Sequence, residues 1–241
     1  MSKLSLVTGG VGGIGTAICN ALKSAGYQVV AVDIVKQEAV DRFTEKTGIK
    51  VYRWDVSDPE QCMTGVEKIT RDMGRHVDIL INNAGITNDS MLHKMAVQGW
   101  DDVIKTNLSS MFFMSRAVIP NMRESRWGRI INISSINGKA GQIGQTNYSA
   151  AKAGVVGFTR ALALESASKG VTVNAVAPGY TLTSMVKAMP EEILTKIIDR
   201  IPVGRLCTPE EVAAAVLFLV SDHSGFITGE TLSINGGQYM D

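Results

Sequence analysis

The chain has 241 residues, 45% of them hydrophobic, which is enough apolar material for one large core without division into two domains. Its 24 basic and 23 acidic residues are interspersed and leave a net charge of +1, so no nucleic-acid partner and no polybasic membrane-binding surface are expected. Three scattered cysteines predict neither a disulfide framework nor a metal site, and without a signal peptide or an apolar run of ~20 residues we expect a cytoplasmic protein.

The first predicted element is a short buried strand, 4–7, which leads into a glycine-rich turn and an apolar helix over 16–24. The turn satisfies the spacings G-x-G-x-x-G and T-G-x-x-x-G-x-G. These spacings allow a tight turn, approach of a pyrophosphate to bare backbone, and close packing of the helix on the strand. The alternative is a loop that only turns the chain. The residues predicted to bind a dinucleotide here are Gly9, Gly10, Gly12, Gly13, Ile14 and Gly15.

The second predicted strand, 28–33, ends in Asp33, at about the distance from the glycines at which an acid can bind the adenosine ribose hydroxyls. A carboxylate there would repel the extra phosphate of NADP, and no arginine lies between Thr8 and Gly15 to compensate. The sequence therefore favours NAD(H), with NADP(H) as the alternative. An aspartate that only starts a turn is the other interpretation.

Further along the chain, short β-rich runs alternate with helical stretches, which predicts parallel strands joined by helical crossovers. The fold expected is a single α/β domain over 1–241, a Rossmann-type doubly wound parallel sheet of about seven strands in a three-layer αβα arrangement. The remaining strands are predicted at 51–55, 78–82, 129–133, 171–176 and 231–234. Helices are predicted up to Met73, around 100–125, over 148–168 and over 190–200.

Tyr148 and Lys152 lie four residues apart on one of these predicted helices, so their side chains share a face. A free phenol titrates near ~10, and an adjacent ammonium would lower its pKa and make the tyrosine a proton donor near neutral pH. The alternative is a solvated helix face with a packed ring.

Together these motifs resemble the short-chain dehydrogenase/reductase family over nearly the whole chain. The likeness also rests on Asn82-Asn83-Ala84-Gly85, Asn107, Ser135 and Pro178-Gly179, in that order and spacing. The resemblance implies that Ser135 holds a substrate carbonyl, Tyr148 protonates it, Lys152 lowers the phenol's pKa and binds the nicotinamide ribose, and Asn107 holds a water. It further implies cofactor contacts from Asp55, Val56, Asn83, Ala84, Gly85, Tyr148, Lys152, Pro178, Gly179, Thr181 and Thr183.

Some of these assignments have alternatives within the sequence. Ser134 is equally hydroxylic, but strand alternation sends it to the face opposite Ser135. Asn107 could be a satisfied buried amide. The Asp55 region could serve instead as a helix N-cap, through Ser57 or Asp58 before a proline.

Within the family, the closest likeness is to reductases of 3-oxoacyl thioesters. An acyl-CoA substrate is favoured, and a thioester on acyl-carrier protein is the alternative. The segment at about 180–205 has few glycines and a helical pattern from Pro190 to Arg200, and it is expected to form a lid. The likeness implies that Arg126 and Lys169 stand where a carrier docks, and a CoA phosphate is the alternative partner of the same charges. It also implies a homotetramer. A non-catalytic NAD(H) sensor would not need the serine, tyrosine and lysine together. The residues expected to contact substrate are Asp89, Ser135, Gln142, Gln145, Tyr148 and Tyr180.

Overall fold

Runs of Val, Ile and Leu form one seven-stranded sheet in the computed structural model, which describes residues 2–183, 186 and 188–240. The strand order is β3-β2-β1-β4-β5-β6-β7, and neighbouring strands pair in parallel throughout. The strands are β1 Leu4–Thr8, β2 Gln28–Asp33, β3 Lys50–Arg53, β4 Ile79–Asn82, β5 Gly128–Ile133, β6 Val171–Pro178 and β7 Thr231–Ile234.

Helices connect these strands and cover both faces of the sheet, which gives the predicted three-layer αβα arrangement. Those in the described residues are α1 Gly13–Ser24, α2 Gln37–Thr47, α3 Pro59–Met73, α4 Val97–Ile104, α5 Ser110–Ser125, α6 Asn137–Ala140, α7 Thr146–Ser166, α8 Glu191–Ile198 and α9 Pro209–Val220. A π-helical turn, Lys105–Ser109, joins α4 to α5, so that the predicted long helix runs on without a break.

Strand alternation divides the core into two hydrophobic clusters, one on each face of the sheet. Leu6 of β1 packs into the cluster that includes Met114 and Val118 of α5. Its neighbour Val7 packs into the cluster that includes Ile18 of α1 and Val216 of α9. Because both faces are buried, the central strands are mostly apolar, and this explains why the sequence predicted them closely.

Several helices differ from the prediction. The first helix begins at Gly13 rather than at residue 16, so two of the motif glycines lie inside its first turn. Helices α2, α6 and α9 were not predicted. The helix after residue 148 ends at Ser166 and continues as a 3-10 turn, Ala167–Lys169.

The position of the cavity in the fold follows from the strand order, which reverses between β1 and β4. Chains that leave these two strands turn to opposite faces of the sheet and open a crevice at the carboxyl edge. The loops after β1, β2, β4, β5 and β6 all begin at this edge. Ser184, Met185 and Lys187, which belong to the predicted 180–205 lid, lie outside the described residues, as do Met1 and Asp241.

Candidate active site

The loop after β1 folds tightly because three of its glycines have no room for a side chain. Gly9 has a left-handed backbone with φ of +61°, and its N–H donates to the Val32 carbonyl at 2.8 Å. A Cβ on Gly15 would lie 2.1 Å from the Gly9 oxygen, and one on Gly10 would lie 2.6 Å from the Ala31 Cβ. Turn, helix and strand therefore meet at van der Waals contact.

Gly12 and Gly13 leave open backbone on the cavity side of this loop. An added Cβ on Gly12 would meet only the Gly9 oxygen at 3.4 Å, and one on Gly13 would meet Thr183 at 3.3 Å. Bare backbone at a helix N-terminus suits the pyrophosphate of a dinucleotide. The loop therefore fits the cofactor that its sequence predicted.

Asp33 directs its carboxylate back toward the glycine loop. Its Oδ2 accepts a hydrogen bond from the Val11 N–H at 3.0 Å, and its Oδ1 accepts one from the Ile34 N–H at 2.9 Å. The side chain lines the cavity at the end of β2. It is thus more than the start of a turn, because the same carboxylate joins the strand end to the phosphate-binding loop.

Asp55 and Val56 line the cavity beyond β3, and the helix-capping role at this point belongs to Asp58. The Asp58 carboxylate accepts hydrogen bonds from the backbone of the first turn of α3. The Asp55 carboxylate accepts from the Ser57 N–H at 2.8 Å. Asp55 is therefore available to the cavity without serving as the cap.

The loop after β4 is tied to the glycine loop by side-chain hydrogen bonds. The Asn83 amide donates to the carbonyls of Thr8 and Gly9, at 3.0 and 3.1 Å. The Ala84 N–H donates to the Thr8 hydroxyl at 3.1 Å. The cavity wall formed by Asn83, Ala84 and Gly85 is thereby fixed to the first strand.

Ser135, Tyr148 and Lys152 come together on one wall of the cavity, from the end of β5 and the first two turns of α7. The Lys152 Nζ lies 5.7 Å from the centroid of the Tyr148 ring and donates to the Ile133 carbonyl at 2.7 Å. Ser134, the adjacent serine, donates to the Lys152 carbonyl at 2.8 Å and is buried. Ser135 is thus the serine that reaches the tyrosine.

Burial dominates the ionisation of this group. Burial is the largest effect on Tyr148 and raises the pKa of its phenol. A hydrogen bond with Ser135 lowers that pKa, and the Asp89 carboxylate raises it. Burial lowers the pKa of Lys152 from 10.5 to about 8. The predicted lowering of the phenol's pKa by Lys152 stays a prediction.

Asn107 lies in the π-helical turn and is completely buried. Its Oδ1 accepts from the Ile86 N–H and its Nδ2 donates to the Ile86 carbonyl, both at 2.8 Å. A Cβ on Gly85 would lie 3.2 Å from its Oδ1 and 3.7 Å from the Lys152 Nζ. The side chain is a satisfied amide directly behind the cavity wall, and π-turns are frequent at functional sites.

The predicted substrate residues do not all reach the cavity. Gln145 and Tyr180 line it, whereas Gln142 is exposed and lies outside the lining. Asp89 is exposed at the mouth, where its Oδ2 accepts from the Gln145 Nε2 at 2.8 Å. The Gln145 Oε1 in turn accepts from the Asn137 Nδ2 at 2.9 Å.

The cavity has a volume of about 690 Å³, which lies within the usual size range of small-molecule and cofactor sites. Asn137, Trp54 and Met189 also line it and were not predicted, because none of them belongs to a motif with a fixed spacing. The predicted residues that line it are Gly9, Gly12, Gly13, Ile14, Gly15, Asp33, Asp55, Val56, Asn83, Ala84, Gly85, Ser135, Gln145, Tyr148, Lys152, Pro178, Gly179, Tyr180, Thr181 and Thr183.

Arg126 and Lys169 lie at the edge of the sheet opposite the cavity. Gly128 and Val171, which pair at the beginnings of β5 and β6, directly follow the segments that carry these cations. The full length of β5 and of β6 therefore separates these cations from the cavity, which lies at the carboxyl ends of the strands. A carrier docked on these two cations would therefore lie at the edge of the sheet opposite the same chain's Tyr148.

Two other expectations concern metals and membranes. Within residues 2–183, 186 and 188–240, no group of three or more His, Cys, Asp or Glu side chains is placed to hold a metal ion. None of the helices in that part of the chain combines the length and apolar character needed to span a bilayer.

Comparison with known proteins agrees with this geometry. Residues 10–238 match the family model described as "Enoyl-(Acyl carrier protein) reductase", a model of the short-chain dehydrogenases and reductases. The chain is 56% identical over 241 residues to "Acetoacetyl-CoA reductase" of Rhizobium meliloti (strain 1021), with all of both chains covered. It is 52% identical over 242 residues to the protein of that name from Paracoccus denitrificans, again with full coverage. It is 45% identical over 240 residues to "3-oxoacyl-[acyl-carrier-protein] reductase FabG" of Haemophilus influenzae, with 99% of this chain and 98% of the relative covered. The chain therefore belongs to the short-chain dehydrogenase/reductase family of nicotinamide-dependent oxidoreductases.

Proposed function

We propose that this protein reduces acetoacetyl-CoA to (3R)-3-hydroxybutyryl-CoA, a precursor for polyhydroxyalkanoate synthesis. The observation that carries the proposal is the meeting of Ser135, Tyr148 and Lys152 on one wall of a cavity whose far end is formed by the glycine loop and Asp33. Full-length relatives named acetoacetyl-CoA reductase support the choice of substrate.

Reduction of a ketone requires hydride delivery to carbon and charge stabilisation at oxygen, followed by a proton. The nicotinamide, when bound, supplies the hydride. Ser135 holds the substrate carbonyl oxygen by donating its hydroxyl hydrogen, and Tyr148 donates the proton that completes the alcohol. Burial, which raises the pKa of Tyr148, keeps the phenol protonated and ready to donate.

Lys152 holds the nicotinamide ribose and provides the positive charge that stabilises the phenolate left after proton transfer. Its burial beside the Ile133 carbonyl fits this role, because a desolvated ammonium acts strongly over short distances. Both polar atoms of the Asn107 side chain bond Ile86, so we assign the proposed contact with a proton-relay water to the Asn107 backbone.

NADH is the proposed hydride source, with NADPH as the alternative. The glycine loop and Asp33 hold the adenosine half, together with Asp55, Val56 and the wall after β4. The Asp33 carboxylate carries the preference, since it lies beside the loop with no lysine or arginine from 8–15 to attract a second phosphate.

The segment around the cavity entrance is proposed to close over substrate. Tyr180, Thr183, Val186 and Met189 line the cavity from this segment, and α8 follows directly. Gln145 and Tyr180 then contact the acetoacetyl group, with Asp89 and Gln142 nearer the pantetheine arm. We also propose a homotetramer, which would cover the apolar residues exposed along α7, namely Ala150, Ala153, Gly157, Ala161 and Leu164.

Initial rates with acetoacetyl-CoA and acetoacetyl-acyl-carrier protein at matched concentrations test the carrier, with chiral analysis of the product. We expect the CoA ester to be the better substrate, because full-length relatives are named acetoacetyl-CoA reductase and because Arg126 and Lys169 lie at the opposite edge of the sheet from the cavity. Faster turnover of the carrier-protein ester would favour the carrier-protein reductase instead. Absence of turnover with any ketone would favour a non-catalytic NAD(H) sensor.

A further inference from the structure

The helix that carries Tyr148 and Lys152 has only small residues among its fully buried apolar positions, and Leu162 is partly buried against the core. The apolar members of its buried stripe are Ala151, Val155 and Ala163. Small apolar side chains interlock weakly, so they resist sliding along the helix axis less than large ones do. The Lys152 ammonium bonds the Ile133 carbonyl of β5 at 2.7 Å, and further polar contacts add to it in fixing the axial position of α7 relative to β5.

One polar anchor lies at Lys152 itself. The Ser134 hydroxyl donates to the Lys152 carbonyl at 2.8 Å, and Ser134 is only 3% exposed. Beside it, a Cβ on Gly138 would lie 2.7 Å from the Lys152 carbonyl carbon, so the chain after β5 is in close contact with α7. The end of the strand is thus bonded to the helix backbone at the lysine.

A second anchor lies two turns further along the same helix face. The Asn132 Nδ2 donates to the Thr159 Oγ1 at 2.9 Å, and the Asn132 Oδ1 accepts from the Asn82 Nδ2 at 2.8 Å. These three residues are at most 2% exposed. A chain of buried hydrogen bonds therefore runs from β4 through β5 to α7.

The two anchors together define a register between helix and sheet. Lys152 and Thr159 are seven positions apart, which places both on the same side of an α-helix. A slip of one residue, about 1.5 Å, would break both bonds and leave buried donors unpaired. Buried polar groups are known to set register in this way in other packed helices.

We propose that Ser134 and the Asn132–Thr159 pair are positioning residues, which fix α7 along its axis and so hold Tyr148 and Lys152 at their places on the cavity wall. This inference rests on the proposed reduction of acetoacetyl-CoA. It gives a role to the serine that the mechanism leaves unused.

The test compares Ser134→Ala and Thr159→Val, each of which removes one anchor hydroxyl and creates little empty space. Thr159→Ser keeps the hydroxyl and should behave as the wild type. Ser166→Ala is the matched control, because Ser166 is also buried on α7 and its hydroxyl has no hydrogen-bond partner among the described residues. Steady-state kinetics with acetoacetyl-CoA are combined with side-chain nitrogen NMR of Lys152 in the protein alone, assigned with Lys152→Arg.

We expect kcat to fall roughly tenfold or more in Ser134→Ala and in Thr159→Val, with KM changed less than about twofold, because small misplacements of catalytic groups are costly. We also expect the pKa of Lys152 to rise from about 8, since a loosened helix admits water to its ammonium. A merely destabilised fold would leave that titration unchanged.

Wild-type kcat and an unchanged Lys152 titration in both anchor variants would overturn the proposal. If the wild-type protein does not reduce acetoacetyl-CoA, the proposed function fails, while the Lys152 titration still decides the positioning role. If Thr159→Val does not fold, Ser134→Ala decides alone, since it removes a single oxygen at the end of the strand.

Discussion

Tyr148 lines the cavity together with Ser135 and Lys152, and its hydroxyl is hydrogen-bonded with Ser135. Tyr148→Phe removes the proton donor and should lower kcat by about 10²- to 10⁴-fold, with cofactor affinity nearly unchanged. Tyr52→Phe is the control, because the Tyr52 hydroxyl bonds Asp72 away from the cavity. A folded Tyr148→Phe protein that kept most of its turnover would end the assignment.

Lys152 should make the stability of the protein depend on pH in a predictable direction. Its pKa is about 8 in the folded protein and 10.5 at its ordinary value, so between these limits the unfolded chain binds more protons than the folded one. The free energy of unfolding of the wild type should therefore rise with pH in this window, by about 3 kcal/mol relative to Lys152→Met.

Urea unfolding of the wild type and Lys152→Met at pH 7 and pH 10 measures this difference directly. At pH 7 the lysine is protonated in both states, and the burial of its charge lowers wild-type stability by a constant amount. A difference between the two proteins that stays flat across the window would show that the Lys152 ammonium is better solvated than its burial implies.

In the unit formed by β1, the glycine loop and α1, two glycine substitutions should have different effects, one on the stability of the fold and the other on cofactor binding. Gly15→Ala forces a Cβ to 2.1 Å from the Gly9 oxygen and should cost about 1–3 kcal/mol of stability. Gly12→Ala meets that oxygen at 3.4 Å, so it should fold normally and weaken NADH binding from the cavity side. Urea unfolding and NADH fluorescence titration of both variants check the pair; equal stability losses would contradict it.

For the whole molecule, the exposed side of α7 should be an interface between copies of the chain. Leu164 is 84% exposed there, and Leu164→Arg should reduce the size of the assembly measured by light scattering while the circular dichroism spectrum is retained. Met63→Arg on α3 is the control, because Met63 is a partly exposed apolar residue on a different helix. An unchanged assembly in Leu164→Arg would remove α7 from the interface.

The strands of this protein could be predicted from the sequence, because parallel strands that are buried on both faces appear in it as short apolar runs. Helix α2 escaped prediction, since Val40 and Phe43 are its only large buried side chains. Helix α9 escaped for the opposite reason: the run from Val212 to Val220 is so uniformly apolar that no helical period stands out.

Some residues of the site could likewise be predicted from the sequence, and others could not. Residues in motifs with a fixed spacing along the chain could be predicted together as parts of one site. These are the glycine loop, Asp33 and the Tyr148–Lys152 pair. Asn137 has no such spacing, because its contact with Gln145 depends on how the start of α6 meets the start of α7. Gln142, which the likeness placed at the substrate, is exposed and lies outside the cavity lining, and no local spacing predicts this.

The most direct test of the account is the ratio of kcat/KM for NADH to that for NADPH during acetoacetyl-CoA reduction by the wild type. We predict efficient turnover with NADH favoured at least roughly tenfold, or ~1.4 kcal/mol, and a smaller ratio in Asp33→Asn, which keeps the acceptor for the Val11 N–H and loses the charge. A preference for NADPH would contradict the role of Asp33, and no oxidation of either cofactor would contradict the proposed reaction.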